Sequence, residues 1–480
     1  MVRMIVLEEV ERSQPLAEAL SRIPQDLAPV LLDSSDGSGW SMLAWAPDRV
    51  ISGVVEPQPK PRGECQTNSW PLAQENPAAL LQKATKGESW SCDADLPMFG
   101  GWLGWFGFAC GHAFEAFPWV AQEPLGFPDY HFGRYRRCVV QNPEGRVWLL
   151  WGASKETVDG PVASAVDEAI QKPGGDESSS EVAQVRKQFH EWGFCGTPGR
   201  PERCDFAPTK IQANVEPLAF QEGVSTLRAW IGQGELFQAN YSHCMTGAAP
   251  DDARQFYQHL RAQQPVAFSA YWEDAHGRAL LSCSPELFLA IDGDTLETRP
   301  IKGTAPRGDS PESDAIALEC LQHSEKEIAE LTMIVDMARN DLGRIASLGG
   351  VRVVSAGEVE AFSTLFHRTA RIQAQWDSSQ GLAALMRATF PPASVTGAPK
   401  VRALQAIAEL EKQNRGPYCG ALGYWLPGAK PRGAFSVLIR TALIADQRLA
   451  LRVGAGIVWD SDPKSEWEET LLKARYLTKQ

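Results

Sequence analysis

Four glutamates have spacing that could do chemistry. Glu327 and Glu330 lie three residues apart, and so do Glu466 and Glu469. On a helix each pair puts both carboxylates on one face. Brought together, the pairs would repel unless protons or a cation neutralised them. Mg²⁺ is the natural ion, because it takes hard oxygen ligands from one or two carboxylates and completes its shell with water and substrate oxygens. The alternative is two solvated helix faces. Lys302, in RPIKGTAPRG (299–308), sits between prolines and glycines at a strand end. A lysine becomes a nucleophile or base when desolvation lowers its pKa, and Gly303 with the prolines would stiffen the loop; a basic surface turn is the alternative. Thr396 and Gly397 open TGAPK, where a Gly ahead of a helix leaves N–H groups suited to an anion or simply starts the helix. Arg440 lies in the apolar run VLIRTALI, where a charge needs a partner, either a substrate carboxylate or an internal salt bridge. His367, in FSTLFHRTA, is a donor, a general base or a satisfied core histidine.

These groups need elements to hold them. Phe220, Val224, Leu227 and Ile231 fall at helical spacing. PVAFSAYW (265–272) reads as a strand, and LFLAI, Asp292-Gly293 and TLETR read as a hairpin turning on Asp-Gly. A helix is predicted over 325–345, with Ile328, Leu331, Val335, Ala338, Leu342 and Ile345 on its apolar face. Another follows TGAP, with Pro399 near its first turn and Val401, Leu404 and Ala408 along it. AFSVLIRTALI and RLALRVG read as strands around an Asp446-Gln447 turn, and a last helix covers about 464–477. Residues 1–160 look strand-rich. Residues 171–210 are rich in Gly, Pro and Ser with a charged helical stretch in the middle, and there is no internal repeat. The chain therefore divides into an N-terminal companion region (1–170), a linker-like segment (171–210) and a region carrying the chemistry (211–480). The expected fold is α+β, with two packed, mainly antiparallel β-sheets, helices outside, and one interleaved body.

Composition narrows the class. The 480 residues are 44% hydrophobic and 22% charged, ordinary values that exclude a disordered chain, a collagen or a coiled-coil rod. Lys+Arg number 46 against 59 Asp+Glu, a net −13, which argues against nucleic acid and anionic membranes as partners. No apolar run reaches the roughly 18 residues of a membrane span, and acids interrupt MVRMIVLEEVERSQ too early for a signal peptide. The 10 Cys are spread singly with no CxxC, so zinc and thioredoxin readings lack their spacing. These features predict a soluble cytoplasmic protein with reduced thiols, large enough to need no disulfides.

Eight segments, taken in order, resemble the chorismate-utilising enzymes: GELFQANYS (234–242), SPELFL (284–289), RPIKGTAPRG, KEIAELTMIVDMARNDLGRI (326–345), FPPASVTGAPKVRA (390–403), NRGPYCGALGYW (414–425), FSVLIRTA (435–442) and GAGIVWDSDPKSEWEET (454–470). The N-terminal third matches more weakly, through LLDSSDGSGWSMLAWAP (31–47) and FGGWLGWFGFACGHAFE (99–115). The resemblance implies that Glu330 and Glu469 ligate Mg²⁺, with Glu327 and Glu466 completing the cluster, and that the ion holds the ring carboxylate of chorismate. It makes Glu286 the general acid for the departing 4-hydroxyl. Arg440 and Tyr418 would bind the enolpyruvyl carboxylate, aided by backbone N–H groups near Gly454 and Gly456, with Thr396, Gly397, Gln238 and His367 completing the substrate site.

Two positions discriminate within the family. Members that add water resemble one another in a lysine where this chain has Gln238, which points to the users of ammonia. PIKGT in place of PIAGT points to the aminodeoxychorismate branch, which leads to p-aminobenzoate and folate. There Lys302 would be a covalent nucleophile that splits one hard displacement into two easier ones. The rivals are the anthranilate branch, which Lys302 opposes, and a non-catalytic chorismate or amino-acid binder, which the intact Glu286, Glu330 and Glu469 oppose. ELTM after Glu330, Thr369-Ala370 and Ala393 depart from the family pattern and read as packing changes. There is no GxCxG nucleophile motif, so ammonia would come from a separate glutamine amidotransferase subunit. The chain ends just past its last predicted helix, so p-aminobenzoate would need a further enzyme. A tryptophan pocket involving Ser34, Trp40, Phe268, Ser269 and Ala270 is a further expectation from the resemblance.

Overall fold

Runs of β-branched and aromatic residues bounded by Gly, Pro and Asp turns become the strands of two large sheets. The computed structural model describes residues 1–11, 14–58, 70–121, 123–154, 181–194, 210–362 and 365–475. Across the first sheet the strands run Ile211–Ala213, Gln238–Ala248, Arg448–Ile457, Thr441–Ala445, Ala279–Ser284, Phe268–Glu273, Val30–Asp33, Ser41–Ala44, Arg137–Gln141, Arg146–Ser154, Val2–Glu11 and Trp90–Cys92, with Gly397–Ala398 added to Gln238–Ala248. Across the second they run Ile301–Pro306, Leu365–Trp376, Thr295–Arg299, Leu287–Asp292, Arg432–Val437, Ala421–Leu426, Gly101–Phe106, Tyr130–Tyr135 and Arg49–Gly53, with Ala346–Ala361 also on Leu365–Trp376. Between the described strands only the pairing of Val2–Met4 with Trp90–Cys92 is parallel, beside one isolated parallel bridge of Ala121 with Gln413. Strands from the two ends of the chain are neighbours in both sheets. Val30–Asp33 lies against Phe268–Glu273, and Gly101–Phe106 against Ala421–Leu426. The fold is thus α+β, as the patterning predicts.

The two inner faces meet in an apolar layer. Leu103, Trp105, Leu422 and Tyr424 of the second sheet pack with Met42, Val140, Trp272 and Leu280 of the first. Trp105 and Trp272 meet edge to face at 4.7 Å, an arrangement that adds to simple burial. Helices cover the outer faces. Glu181–Glu191 and Ala253–Gln263 lie on the first sheet, burying Val185, Phe189, Phe256 and Leu260. Glu325–Gly343 and Gly381–Thr389 lie on the second, burying Leu331, Val335 and Leu385, while Lys400–Glu411 lies along Gln238–Ala248 of the first. Pro217–Gly232 and Pro463–Ala474 share a smaller cluster through Phe220, Val224, Leu227 and Trp467. No helix among the described residues is long and apolar enough to cross a membrane.

Three local expectations are corrected. AFSVLIRTALI is two strands: Arg432–Val437 belongs to the second sheet and Thr441–Ala445 to the first. Arg440 therefore sits on the crossover, with φ +49°, and not inside a strand. The hairpin after LFLAI pairs Asp292 with Thr295, so its two-residue turn is Gly293-Asp294 with Gly293 at φ +56°. Ile328 and Val401, predicted on apolar faces, are 42% and 40% exposed, whereas Ile334 is buried. By contrast Asp446 and Gln447 both take positive φ between the paired Ala445 and Arg448, a tight primed hairpin. Of the linker-like segment, only Glu181–Phe194 and Lys210 lie among the described residues. The last helix ends at Ala474, and 476–477 lie outside the described residues.

Candidate active site

Lys302 is the second residue of Ile301–Pro306, the edge strand of the second sheet. Gly303 follows at φ +81°, and a side chain there would meet Glu327 Oε2 at 3.0 Å. Glycine thus lets the strand lie against the helix that carries Glu327. Across from Lys302 is a smooth floor on strand Arg448–Ile457. A side-chain carbon on Gly456 would stand 2.7 Å from Gln238 Nε2 and 3.7 Å from Lys302 Nζ, and one on Gly454 would stand 3.1 Å from the Tyr418 hydroxyl. Gln238, Tyr418 and Lys302 therefore converge on one glycine strand. Gln238 is placed by a ladder to Ala398. The next rung, Gly397 with Ala239, needs glycine, since a side chain at Gly397 (φ +139°) would strike the Gln238 carbonyl at 2.3 Å. Thr396 is buried, and its hydroxyl donates to the Pro392 carbonyl at 2.8 Å.

Glu286 sits where the chain leaves the first sheet and enters the second, between Ala279–Ser284 and Leu287–Asp292. It is buried, and burial pushes its carboxyl from 4.5 up to about 7. A hydrogen bond from Ser394 and the charges of Lys302 and Arg440 restrain that rise. Near neutral pH such a group holds a proton it can give away. His367 is also buried, and its Nδ1 is 2.9 Å from the Thr304 hydroxyl. Burial, with help from the Arg440 charge, lowers its pKa to about 4, so the ring is neutral at pH 7. Gln238 Oε1 and His367 Nε2 are two of ten buried side-chain polar atoms among the described residues that have no hydrogen-bond partner in the protein.

The two helices bring their glutamates within electrostatic reach. Burial raises the Glu327 carboxyl, and the charges of Glu330 and Glu469 raise it further. Burial likewise raises Glu466, opposed by a hydrogen bond with Ser461 and reinforced by Glu469. At Glu469 burial acts upward, but Lys473 together with the charges of Lys326 and Lys302 outweighs it, so this carboxyl is lowered. Lys473 Nζ lies 2.7 Å from Glu469 and donates to the Gly454 carbonyl at 2.9 Å. Lys326 stands 3.9 Å from Glu330. Among the described residues no three or more His, Cys, Asp or Glu are gathered tightly enough to hold an ion. The four carboxylates nonetheless offer hard oxygens from two helices, with lysines as their present counter-ions, and that donor chemistry fits a divalent cation.

Several residues of the site escape the sequence reading. Ser394 lies in the quoted FPPASVTGAPK, yet its bond to Glu286 depends on a fold the motif does not reveal. Behind Tyr418 lies a buried ionic group of Glu411, Arg415 and Arg452. Arg452 is a charge in the apolar strand RLALRVG, the same signal that singles out Arg440. The residues proposed for a tryptophan pocket meet elsewhere, where Val30–Asp33 pairs with Phe268–Glu273. Ser34 Oγ contacts Asp36 and Ser38 within its own loop. It is Ser35 that reaches Ser269, 2.9 Å between hydroxyls. Trp40 stacks on Trp148 at 5.5 Å, and Ala270 is buried between the sheets.

Known proteins of similar sequence and shape match most of this chain. The anthranilate synthase component 1 of Streptomyces coelicolor is 34% identical over 79% of this chain and 72% of its own. The aminodeoxychorismate synthase component 1 of Salmonella typhimurium is likewise 34% identical, over 79% of this chain and 76% of its own. The crystal structure of anthranilate synthase component I from Streptococcus pneumoniae superposes with a TM-score of 0.71 at 27% identity, covering 92% of both chains. The family model for chorismate binding enzymes matches residues 28–479. With a family match of that extent, this chain belongs to the chorismate-binding enzymes.

Proposed function

We propose that the chain aminates chorismate at C4 to give 4-amino-4-deoxychorismate, the reaction of an aminodeoxychorismate synthase component I. The observation that carries this reading is the placement of Lys302. Its ammonium nitrogen shares the Gly456 floor with Gln238, and its charge is felt by Glu286. In the proposed sequence Lys302 first gives its ammonium proton to solvent, its amine bonds to C2 of chorismate, the ring double bond shifts, and the C4–O bond breaks. Glu286 gives its proton to the departing hydroxyl, which leaves as water. Ammonia then bonds to C4, the double bond shifts back, and the C2–N bond to Lys302 breaks, with the surplus proton returned through Glu286. Arg440 and Tyr418 hold the enolpyruvyl carboxylate, and the flat backbone at Gly454 and Gly456 lets the substrate lie close. Neutral His367 and Gln238 present their unpaired polar atoms to the ring substituents. Glu330 and Glu469, with Glu327 and Glu466, would hold Mg²⁺, which when bound supplies positive charge for the ring carboxylate. Ammonia comes from a separate glutamine amidotransferase subunit.

Relatives named for anthranilate synthesis are as similar as those named for aminodeoxychorismate synthesis, so anthranilate formation is the second reading. One assay separates them. The purified chain is incubated with chorismate, Mg²⁺ and concentrated ammonium salt, and an aminodeoxychorismate lyase is added to half. p-Aminobenzoate in the lyase half alone is the expected result. Anthranilate and pyruvate without lyase would overturn the proposal in favour of the second reading, and no turnover by folded protein would favour a binder.

A further inference from the structure

The Arg415 side chain hydrogen-bonds to none of the groups assigned a chemical role above, yet it joins the three segments that carry them. Its side chain is 1% exposed, as is that of Glu411, four residues earlier at the end of helix Lys400–Glu411. The guanidinium grips Glu411 with two bonds, Nε to Oε2 at 3.0 Å and Nη2 to Oε1 at 2.7 Å. The same fork donates to the backbone carbonyls of Asn240 at 2.6 Å and Val395 at 3.2 Å. Its guanidinium carbon lies 4.6 Å from the centre of the Phe108 ring and 5.8 Å from that of Tyr418.

Each contact leads one step into the site. Asn240 lies two residues beyond Gln238 on the same strand, and its amide is hydrogen-bonded to the Tyr418 phenol. Val395 lies between Ser394, which bonds Glu286, and Thr396, whose carbonyl accepts the Asn240 N–H at 2.9 Å. Tyr418 faces the floor at Gly454. A planar five-donor fork can serve a carboxylate and two carbonyls together, whereas a lysine ammonium offers three donors from a single point. Arg452 supplies a second charge to Glu411, at 3.0 Å, but donates to Ser242 and Gln413 rather than to either of these carbonyls. Charge balance for Glu411 therefore has two sources, and Arg415 adds a side-chain tie between the Asn240 and Val395 segments to the backbone bond of Asn240 with Thr396 and the ladder of Gln238 with Ala398.

We infer that Arg415 is the positioning residue of this site, clamping the Gln238–Asn240 strand and the Ser394–Thr396 loop in one register beneath Tyr418 so that the acid, the tyrosine and the glutamine face the substrate together. This rests on the assignment of those three groups to chorismate.

The test compares Arg415→Lys with Arg452→Met in the full chain. Arg415→Lys keeps the buried charge and loses the fork, while Arg452→Met loses a charge and keeps the fork. Turnover is followed as chorismate consumption per folded molecule, whatever the product, so a wrong product in the wild-type chain would sink the reaction proposed above and leave this comparison intact. Arg415→Lys is expected to lower kcat by about 100-fold, the size of an ångström-scale misplacement. It is also expected to move the alkaline limb of the pH profile upward, because the Ser394 bond that restrains Glu286 is loosened. Arg452→Met is expected to lose stability with its pH profile unmoved. If Arg415→Lys does not fold, Glu411→Gln, which loosens the fork without removing it, is expected to cost about tenfold in kcat with the same shift of the limb. If activity in these variants falls only in proportion to the folded fraction, or the Arg415 and Arg452 variants behave alike, the inference is overturned.

Discussion

Glu286→Gln removes one ionisable group from the junction of the two sheets and keeps its shape. In the wild-type chain burial raises this carboxyl from 4.5 to about 7. Each pH unit of that displacement is worth about 1.36 kcal/mol, so ionising Glu286 in the fold costs about 3 kcal/mol relative to the unfolded chain. The sign follows from the raised value. The folded state keeps the proton to higher pH than the unfolded state does, so the contribution is fully present below about pH 4.5 and is lost as pH rises through about 7. Urea unfolding at pH 5 and pH 8.5, for wild type and Glu286→Gln, isolates this group because every other titration is common to both. The wild-type chain should lose about 2.5 kcal/mol more than the variant between the two pH values, since part of the contribution is already gone at pH 5. The variant should also lose the limb of the rate profile that falls as Glu286 gives up its proton near pH 7. Unfolding curves that stay parallel across this range would show that Glu286 is not held protonated, and the general-acid assignment would fall with it.

Gly456→Ala would place a carbon 2.7 Å from the Gln238 amide and 3.7 Å from Lys302 Nζ. Both are ends of flexible side chains, so the melting temperature should change little while kcat/KM falls by about tenfold. Gly454→Ala would instead meet the Tyr241 backbone carbonyl at 2.8 Å, and thermal unfolding should register a loss of stability as well as activity. For the acidic cluster, Glu330→Gln should weaken Mg²⁺ binding measured by calorimetry and leave the fold intact by circular dichroism. Unchanged affinity would remove Glu330 from the proposed ligand set.

Much of this site is legible in the sequence because its chemistry is local. The glutamate pairs declare themselves by helical spacing, and Lys302 and Gln238 by the motifs around them. Periodicity also predicts the helix at 325–345, found at Glu325–Gly343, and the apolar runs on either side place a turn at Asp446-Gln447. What the sequence hides is long-range. VLIRTALI looks like one strand because both halves are apolar, yet Val437 and Thr441 enter different sheets. That crossover, not a strand face, delivers the Arg440 charge to Glu286 and His367. Ser394 and Arg415 are invisible for the same reason. Their partners lie 108 and 175 residues away, at Glu286 and Asn240, and nothing in local pattern links them.

The central claim is that Lys302 forms a covalent bond to the substrate. Wild-type chain mixed with chorismate and Mg²⁺ without ammonium, quenched in acid, digested and examined by mass spectrometry tests it directly. The account predicts an adduct of chorismate less one water on the peptide containing Lys302, discharged when ammonium is added before the quench and missing from Lys302→Ala. An adduct on another residue, or aminodeoxychorismate formed by Lys302→Ala at the wild-type rate, would contradict it.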